Sequence, residues 1–306
     1  MAPPVVLVTG AAGMIGFSVA AALARAGRSV LGTDVVPSAE PVSFPFEAAD
    51  IRDFDRLAKI AGNKVDAIIH CGAISGPMLG RDRPKELADI NIGGTLNVLE
   101  IARHMAARRF VYCSTCMAYG HTPDGLAPVD EAAPLRATDI YGASKGAGEL
   151  MVNAFAHSNG VDAVSLRLCW VYGPRRRTEC LVRTLILDAR ARRPARLPFG
   201  GGYHRQFVYI DDVVEAIVQA LDANRLPRRV YNVTGGQRLT FDEIADVVRS
   251  VVGPLTTQFG PGPDPQDYRQ ERFTIDAIGD DLGWRPRFDL KAGVAAYAEW
   301  LRHHDY

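Results

Sequence analysis

The sequence predicts a doubly wound α/β fold: a parallel sheet covered by helices on both faces, with a smaller C-terminal lobe built from discontinuous pieces. Three observations carry this. Strand and helix signals alternate with short connections through the first half of the chain. A glycine-rich turn, Gly10-Ala-Ala-Gly13-Met-Ile-Gly16, joins the first strand signal to the first helix signal. After Pro174 the alternation gives way to an arginine-dense stretch broken by proline and glycine.

The elements follow in order. Val5 to Thr9 is a short apolar run of the kind that forms a buried parallel strand. Met14 to Ala26 is alanine-rich and helical, and Gly27 stops it. Ser29 to Thr33 is a second strand, ending at Asp34. Asp53 to Ala61 reads as a helix and Val65 to His70 as a buried strand. Lys85 to His104 reads as one long amphipathic helix, its apolar positions Leu87, Ile90, Leu96, Val98, Leu99 and Ile101. Arg109 to Cys113 is a strand, Tyr141 to His157 a helix and Ala163 to Leu168 a strand.

Beyond Pro174, Phe207 to Ile210 is a short strand, and Asp211 to Leu221 a helix opened by an Asp cap. Val230 to Val233 is a strand, and Phe241 to Val252 and Lys291 to Arg302 are helices. Gly260 to Asp267 is a Pro/Gly-rich loop. The expected division is a cofactor domain over 1–174, which also receives segments near 206–234, and a discontinuous lobe over 175–306.

Composition narrows the function classes. The 306 residues carry 35 basic and 35 acidic side chains, so the formal net charge is zero. A neutral chain has no global field for nucleic acid or an anionic membrane, and any anion binding must be local. No apolar run approaches the length of a membrane span, and no signal-peptide pattern precedes Val5. The chain reads as cytoplasmic. The five cysteines are an odd, scattered set, and the Cys113–Cys116 pair lacks a second ligand pair for zinc. They are expected to be reduced thiols, with no metal site.

Chemistry begins at the glycine turn. The chain must turn sharply after the strand, let its backbone approach a pyrophosphate, and pack the following helix closely on the sheet. The helix then offers free N–H groups and its positive dipole end to the anion. Gly10, Gly13, Met14, Ile15 and Gly16 are the expected contacts. The spacing is one residue longer at its start than the Rossmann GxGxxG fingerprint. Asp34, at the end of the second strand, is placed to bond ribose hydroxyls, and its charge would repel a 2′-phosphate. NAD is therefore favoured over NADP. Asp50 and Ile51 are a weaker expected edge for the adenine.

Tyr141 and Lys145 stand four apart, on one face of their predicted helix. A nearby cation favours a phenolate, so Lys145 is expected to lower the Tyr141 pKa. The tyrosine could then take a proton from a substrate hydroxyl while hydride leaves the same carbon. Thr115, at the carboxyl end of its strand, is placed to bond the reacting oxygen, with Ser114 as the runner-up.

These residues resemble the extended short-chain dehydrogenase/reductase family, in particular its epimerase/dehydratase branch. The likeness runs through nearly the whole chain. It includes Thr9 to Gly16, Asp34, Asp50, His70-Cys-Gly-Ala73, Asn91 to Thr95, Ser114 to Gly120, Tyr141 to Lys145, Arg167 to Pro174, Arg205 to Asp212 and Leu282 to Pro286. The resemblance implies a Rossmann-type fold, NAD as cofactor, and Thr115, Tyr141 and Lys145 as the catalytic set. It implies that Asn91 shapes the site and that Cys71, Gly72 and Ala73 lie along the cofactor. Ser75, Met117 and Trp170 become expected substrate contacts. A homodimer through the helices near 85–104 and 141–157 is also implied.

Three departures from the family pattern bear on the substrate. Cys116-Met117 stand where family dehydratases carry an Asp-Glu pair, so a dehydratase is not expected. Trp170 replaces an asparagine common in UDP-sugar epimerases. Gly200-Gly-Gly-Tyr-His204 and Gln206 replace a Gly-Asp-Gly stretch and an aspartate. Of the arginines Arg175, Arg176, Arg177, Arg183, Arg192, Arg193 and Arg205, only Arg175 and Arg205 flank matched motifs. They are the expected contacts to an anionic carbohydrate substrate, and the rest read as solvated surface. Two enzyme readings remain: an epimerase of a sugar or nucleotide sugar, or a net dehydrogenase of a free sugar, sugar acid or related hydroxy compound. A third reading is a non-enzymatic NAD-binding regulator.

Overall fold

The computed structural model describes residues 4–304 except 39, 63, 124, 126 and 127. Three residues of the N-terminal stretch discussed above, 1–3, lie outside that range. In chain order the elements are β1 (Val5–Thr9), α1 (Met14–Arg25), β2 (Ser29–Asp34), β3 (Phe46–Ala48), α2 (Phe54–Ala61), β4 (Val65–His70), α3 (Pro84–Ala88), α4 (Thr95–His104), β5 (Arg109–Thr115), α5 (Ile140–Ser158), β6 (Ala163–Leu168) and β7 (Trp170–Tyr172). There follow α6 (Leu181–Arg190), β8 (Ala195–Gly201), β9 (His204–Tyr209), α7 (Ile210–Asp222), β10 (Val230–Val233), β11 (Arg238–Thr240), α8 (Phe241–Val252), β12 (Thr257–Pro261), α9 (Asp276–Leu282) and α10 (Leu290–Trp300).

Among the described residues, seven strands form one parallel sheet in the order β10-β6-β5-β4-β1-β2-β3. The order reverses between β1 and β4, which opens a crevice at their carboxyl ends. Both faces are packed. Val19 and Leu23 of α1 with Val213 and Ile217 of α7 fill one side. Leu57 of α2, Val98 and Leu99 of α4, and Val152 of α5 fill the other. The short strands β11-β9-β7 and the pair β12-β8 form two smaller sheets.

Several elements differ from the sequence expectation. The long helix of 85–104 is three segments: α3, a π-turn at Asp89–Gly94, and α4. Thr95 Oγ1 donates to the Asn91 carbonyl at 2.6 Å. Such wider turns recur at functional sites. Helix α7 starts at Ile210 with no side-chain cap, and Asp212 instead accepts the backbone N–H groups of Arg287 and Phe288 at 2.9 and 3.1 Å. Gly260 and Pro261 are not loop but the end of β12, paired with β8. Of the segments near 206–234 expected to join the cofactor domain, β10 enters the main sheet and α7 packs on its face, whereas β9 pairs with β7 and β11. Arginine-rich composition hid β8 and α6, whose apolar faces are short.

Candidate active site

A cavity of about 640 Å³ runs from the glycine turn, across the carboxyl ends of β1, β4 and β5, to Trp170, Arg205 and Tyr268. Gly10, Gly13, Met14, Ile15 and Gly16 line its first end. Gly10 has φ +69°, and a Cβ there would stand 2.7 Å from the backbone of Cys71. A Cβ on Gly16 would stand 2.1 Å from the Gly10 carbonyl oxygen. Gly13 caps α1 with no side-chain hydrogen bond, so the first-turn N–H groups of Met14, Ile15 and Gly16 have no cap acceptor. This is a cradle for an anion, and it fits the pyrophosphate of NAD.

Asp34 lines the same end. One of its oxygens accepts the Ala12 N–H at 3.0 Å and the other the Val35 N–H at 2.7 Å. Cys71, Gly72 and Ala73 continue the wall. Asp50 and Ile51 are not on it. The Asp50 carboxylate is bonded to Arg52 at 2.5 Å, which holds its pKa below the usual range. Ile51 is buried against Gly72 and Gly94.

A buried relay holds this wall in place. The Gly72 N–H donates to Thr9 Oγ1 at 3.2 Å, and Thr9 Oγ1 lies 2.6 Å from His70 Nδ1. His70 Nε2 is 3.0 Å from Thr95 Oγ1, whose proton is already given to Asn91. The imidazole therefore donates from Nε2 and accepts at Nδ1. Burial, helped by the charge of Lys145, lowers its pKa to about 3, so it stays neutral. The Asn91 side chain accepts the Ile74 N–H at 2.8 Å and donates to the Ile74 carbonyl and to Ser144, both at 3.0 Å. Asn91 lies behind the cavity and ties its wall to α5.

Tyr141 is buried and lines the cavity. Asp139 caps α5 by accepting the Gly142 N–H at 2.9 Å. Tyr268 donates to the other Asp139 oxygen at 2.6 Å and accepts the backbone N–H groups of Thr138 and Asp139. Nothing in the sequence around Tyr268 marks it, because it is one aromatic residue in a coil segment.

Burial raises the Tyr141 pKa. Hydrogen bonds with Ser75 and Thr115 pull it back, as does the charge of Arg176. The phenol is thus raised above its ordinary value, where the sequence reading expected it lowered. The Lys145 ammonium instead stands 4.3 Å from the centre of the Tyr112 ring, and burial lowers its own pKa to about 8. Helix α5 can approach β5 this closely because residue 148 is glycine, where a Cβ would meet the Tyr112 hydroxyl at 2.2 Å.

Thr115 Oγ1 accepts the Met117 N–H at 3.2 Å. Ser114, although it also borders the cavity, donates its hydroxyl to Glu149. That carboxylate pairs with Arg167 at 2.7 Å, both side chains being buried. Ser114 therefore serves the ion pair, not the reacting oxygen. Met117 and Trp170 line the cavity.

The cysteines of the CxxC face different neighbours. Cys113 Sγ is 3.4 Å from Cys71 Sγ, and Cys116 Sγ is 2.9 Å from Cys169 Sγ. All five cysteines are free.

The arginine expectations are rearranged. Arg205 borders the cavity but is buried and already bonded to Asp264 and Asp267, each at 2.8 Å. Arg175 lines the cavity as expected and pairs with Glu40 at 2.6 Å. Arg176 and Arg177, expected at the surface, line the cavity. Arg176 donates to the carbonyls of Val171 at 2.9 Å and Glu179 at 3.4 Å, and its buried Nε–H has no partner. Arg183 donates to the carbonyls of Arg176 and Thr178 and braces this loop.

Among the described residues no helix is long and apolar enough to cross a membrane. Comparison with known proteins agrees with the geometry. The UDP-glucose 4-epimerase of Mycolicibacterium smegmatis is 31% identical over 310 residues, covering 97% of this chain and 98% of the relative. The crystal structure of the Thermus thermophilus UDP-glucose 4-epimerase in complex with NAD superposes with a TM-score of 0.86 at 28% identity, covering 98% and 99% of the two chains. A partial consensus L-threonine 3-dehydrogenase superposes with a TM-score of 0.89 at 25% identity, covering 98% and 100%. The sequence profile of the NAD dependent epimerase/dehydratase family matches residues 6–234. The chain belongs to that family.

Proposed function

We propose that this protein is an NAD-dependent epimerase of a nucleotide sugar. The observation that carries the reading is the Tyr141 phenol, buried between Ser75 and Thr115 where the glycine-lined half of the cavity meets the second lobe. The match to UDP-glucose 4-epimerases over almost the whole chain supports it.

In this reading the first lobe, up to Pro174, holds NAD through the glycine turn, Asp34 and the wall at Cys71 to Ala73. When bound, NAD supplies the carbon that takes hydride from the sugar and returns it. Thr115 holds the substrate oxygen, and Tyr141 Oη takes the hydroxyl proton and later gives it back. Arg176 favours the phenolate by its charge, and Lys145 adds a buried cation beside the cofactor wall. Two molecules pair through the helices near 85–104 and α5. The outward Leu150, 63% exposed on α5, supports that surface.

A second reading, net dehydrogenation of a free sugar acid or related hydroxy compound, is favoured by one observation: Arg205 is already neutralised by two carboxylates. The same assay tests both. The purified protein is offered UDP-sugars and free sugar acids, with NADH followed by absorbance and products by chromatography. An isomeric UDP-sugar with no net NADH is expected. Stoichiometric NADH from a free acid would overturn the epimerase reading.

A further inference from the structure

Arg205 lies on β9, and its guanidinium stacks 4.1 Å from the centre of the Trp170 ring. Its Nε donates to Asp267 Oδ2 and one terminal nitrogen to Asp264 Oδ2. The two carboxylates are themselves held in position. Asp267 Oδ1 accepts the Tyr268 N–H at 2.8 Å, and Asp264 Oδ1 accepts the Gln266 N–H at 2.9 Å. All three side chains are largely buried, with 6%, 13% and 3% exposure for Arg205, Asp264 and Asp267.

Two carboxylates against one guanidinium leave a net negative charge at a point where Arg205 and Asp267 form the cavity wall. The nearby Arg238 faces Glu271 at 3.6 Å, and burial lowers the His204 pKa, so neither adds a free cation. Burial, which raises the Asp267 pKa, and Arg176, 5.9 Å from the centre of the same Trp170 ring, reduce the excess, and the two carboxylates still occupy the Arg205 guanidinium. In a partly desolvated site such an excess is weakly screened and works against any polyanion. The carboxylates come from the coil after β12, whereas Arg205 is fixed in a strand between β7 and β11.

We propose that Asp264 and Asp267 are specificity-determining residues: they occupy Arg205 from within the protein, and the cavity takes a diphosphate there only in exchange for them. This inference rests on the reading of the substrate as a nucleotide sugar. The two carboxylates then set how tightly the nucleotide part is held, separately from the chemistry at Tyr141. Removing one of them leaves Arg205 paired with the other and the group neutral, so a single neutral variant retains a satisfied guanidinium.

The test is calorimetric titration of UDP into the NAD-loaded wild type, Asp264→Asn and Asp267→Asn, with NAD titrated separately as a check of the fold. Asp264→Asn is the more conservative change, because Asp264 is the more exposed of the two. Tighter UDP binding, by about tenfold in either variant, with NAD affinity within about twofold, is expected. If the wild type binds UDP and the variants bind it equally or more weakly with NAD affinity intact, the inference is overturned and the nucleotide-sugar reading stands. If UDP binds neither wild type nor variants while a free sugar acid reduces NAD, the nucleotide-sugar reading fails and the inference fails with it.

Discussion

The Ser114 hydroxyl donates to Glu149, the carboxylate that pairs with the buried Arg167. Its neighbour Thr115 turns the other way, toward Tyr141. Adjacent residues at one strand end thus serve different ends, because successive side chains of a strand point to opposite faces.

Thr115→Ala and Ser114→Ala should therefore separate. Thr115→Ala is expected to lower kcat by about 100-fold with stability nearly unchanged. Ser114→Ala should keep turnover within a few-fold and cost about 1 kcal/mol, since Glu149 keeps its bonds to Arg167. Steady-state kinetics beside urea denaturation reads both. Equal kinetic losses in the two variants would contradict the division.

Tyr141→Phe keeps the ring and removes only the phenol oxygen. Turnover should fall by about 10³-fold while NAD affinity changes less than about twofold. The charge of Arg176 stabilises the phenolate, so Arg176→Gln should raise the Tyr141 pKa and move the acid limb of the kcat profile to higher pH. A limb that stays in place would remove Arg176 from the mechanism.

Lys145 carries a stability cost whose sign is defined. Its folded pKa, about 8, lies below the ordinary 10.5, so the folded state releases a proton that the unfolded state keeps. The cost is fully present below pH 8 and is relieved as pH rises toward 10.5, amounting to about 3 kcal/mol. Lys145→Met should be inactive yet more stable than wild type at pH 7. That advantage should shrink steadily between pH 8 and 10.5 in denaturation curves taken across the range.

Gly16→Ala tests the cradle. The added methyl would meet the Gly10 carbonyl, so the turn must open. NAD affinity is expected to fall about 100-fold, measured by titration, with the folded core retained. Unchanged affinity would show that the turn does not hold the cofactor.

Much of this molecule follows from the sequence alone. Backbone geometry ties a strand, three spaced glycines and a helix into one turn, and the helical repeat sets Tyr141 and Lys145 one turn apart. Those relations are local, so Gly10, Gly13, Met14, Ile15, Gly16, Asp34, Thr115, Tyr141 and Lys145 were all legible as candidates and all border one cavity. Even within a helix there was a limit. The π-turn at Asp89–Gly94 left no mark on the apolar periodicity, yet it brings Asn91 against Ile74 and Ser144.

Only the tertiary structure decided which charges are already satisfied. Arg205 and Asp267 are 62 residues apart and Arg175 and Glu40 are 135 apart, and no local pattern pairs them. The same packing hides Ile51, assigns Ser114 to an ion pair, brings Tyr268 to the start of α5 and turns Arg176 into the cavity. A side chain's chemistry is written in the sequence, but its partners depend on which distant segments the fold brings within hydrogen-bonding distance.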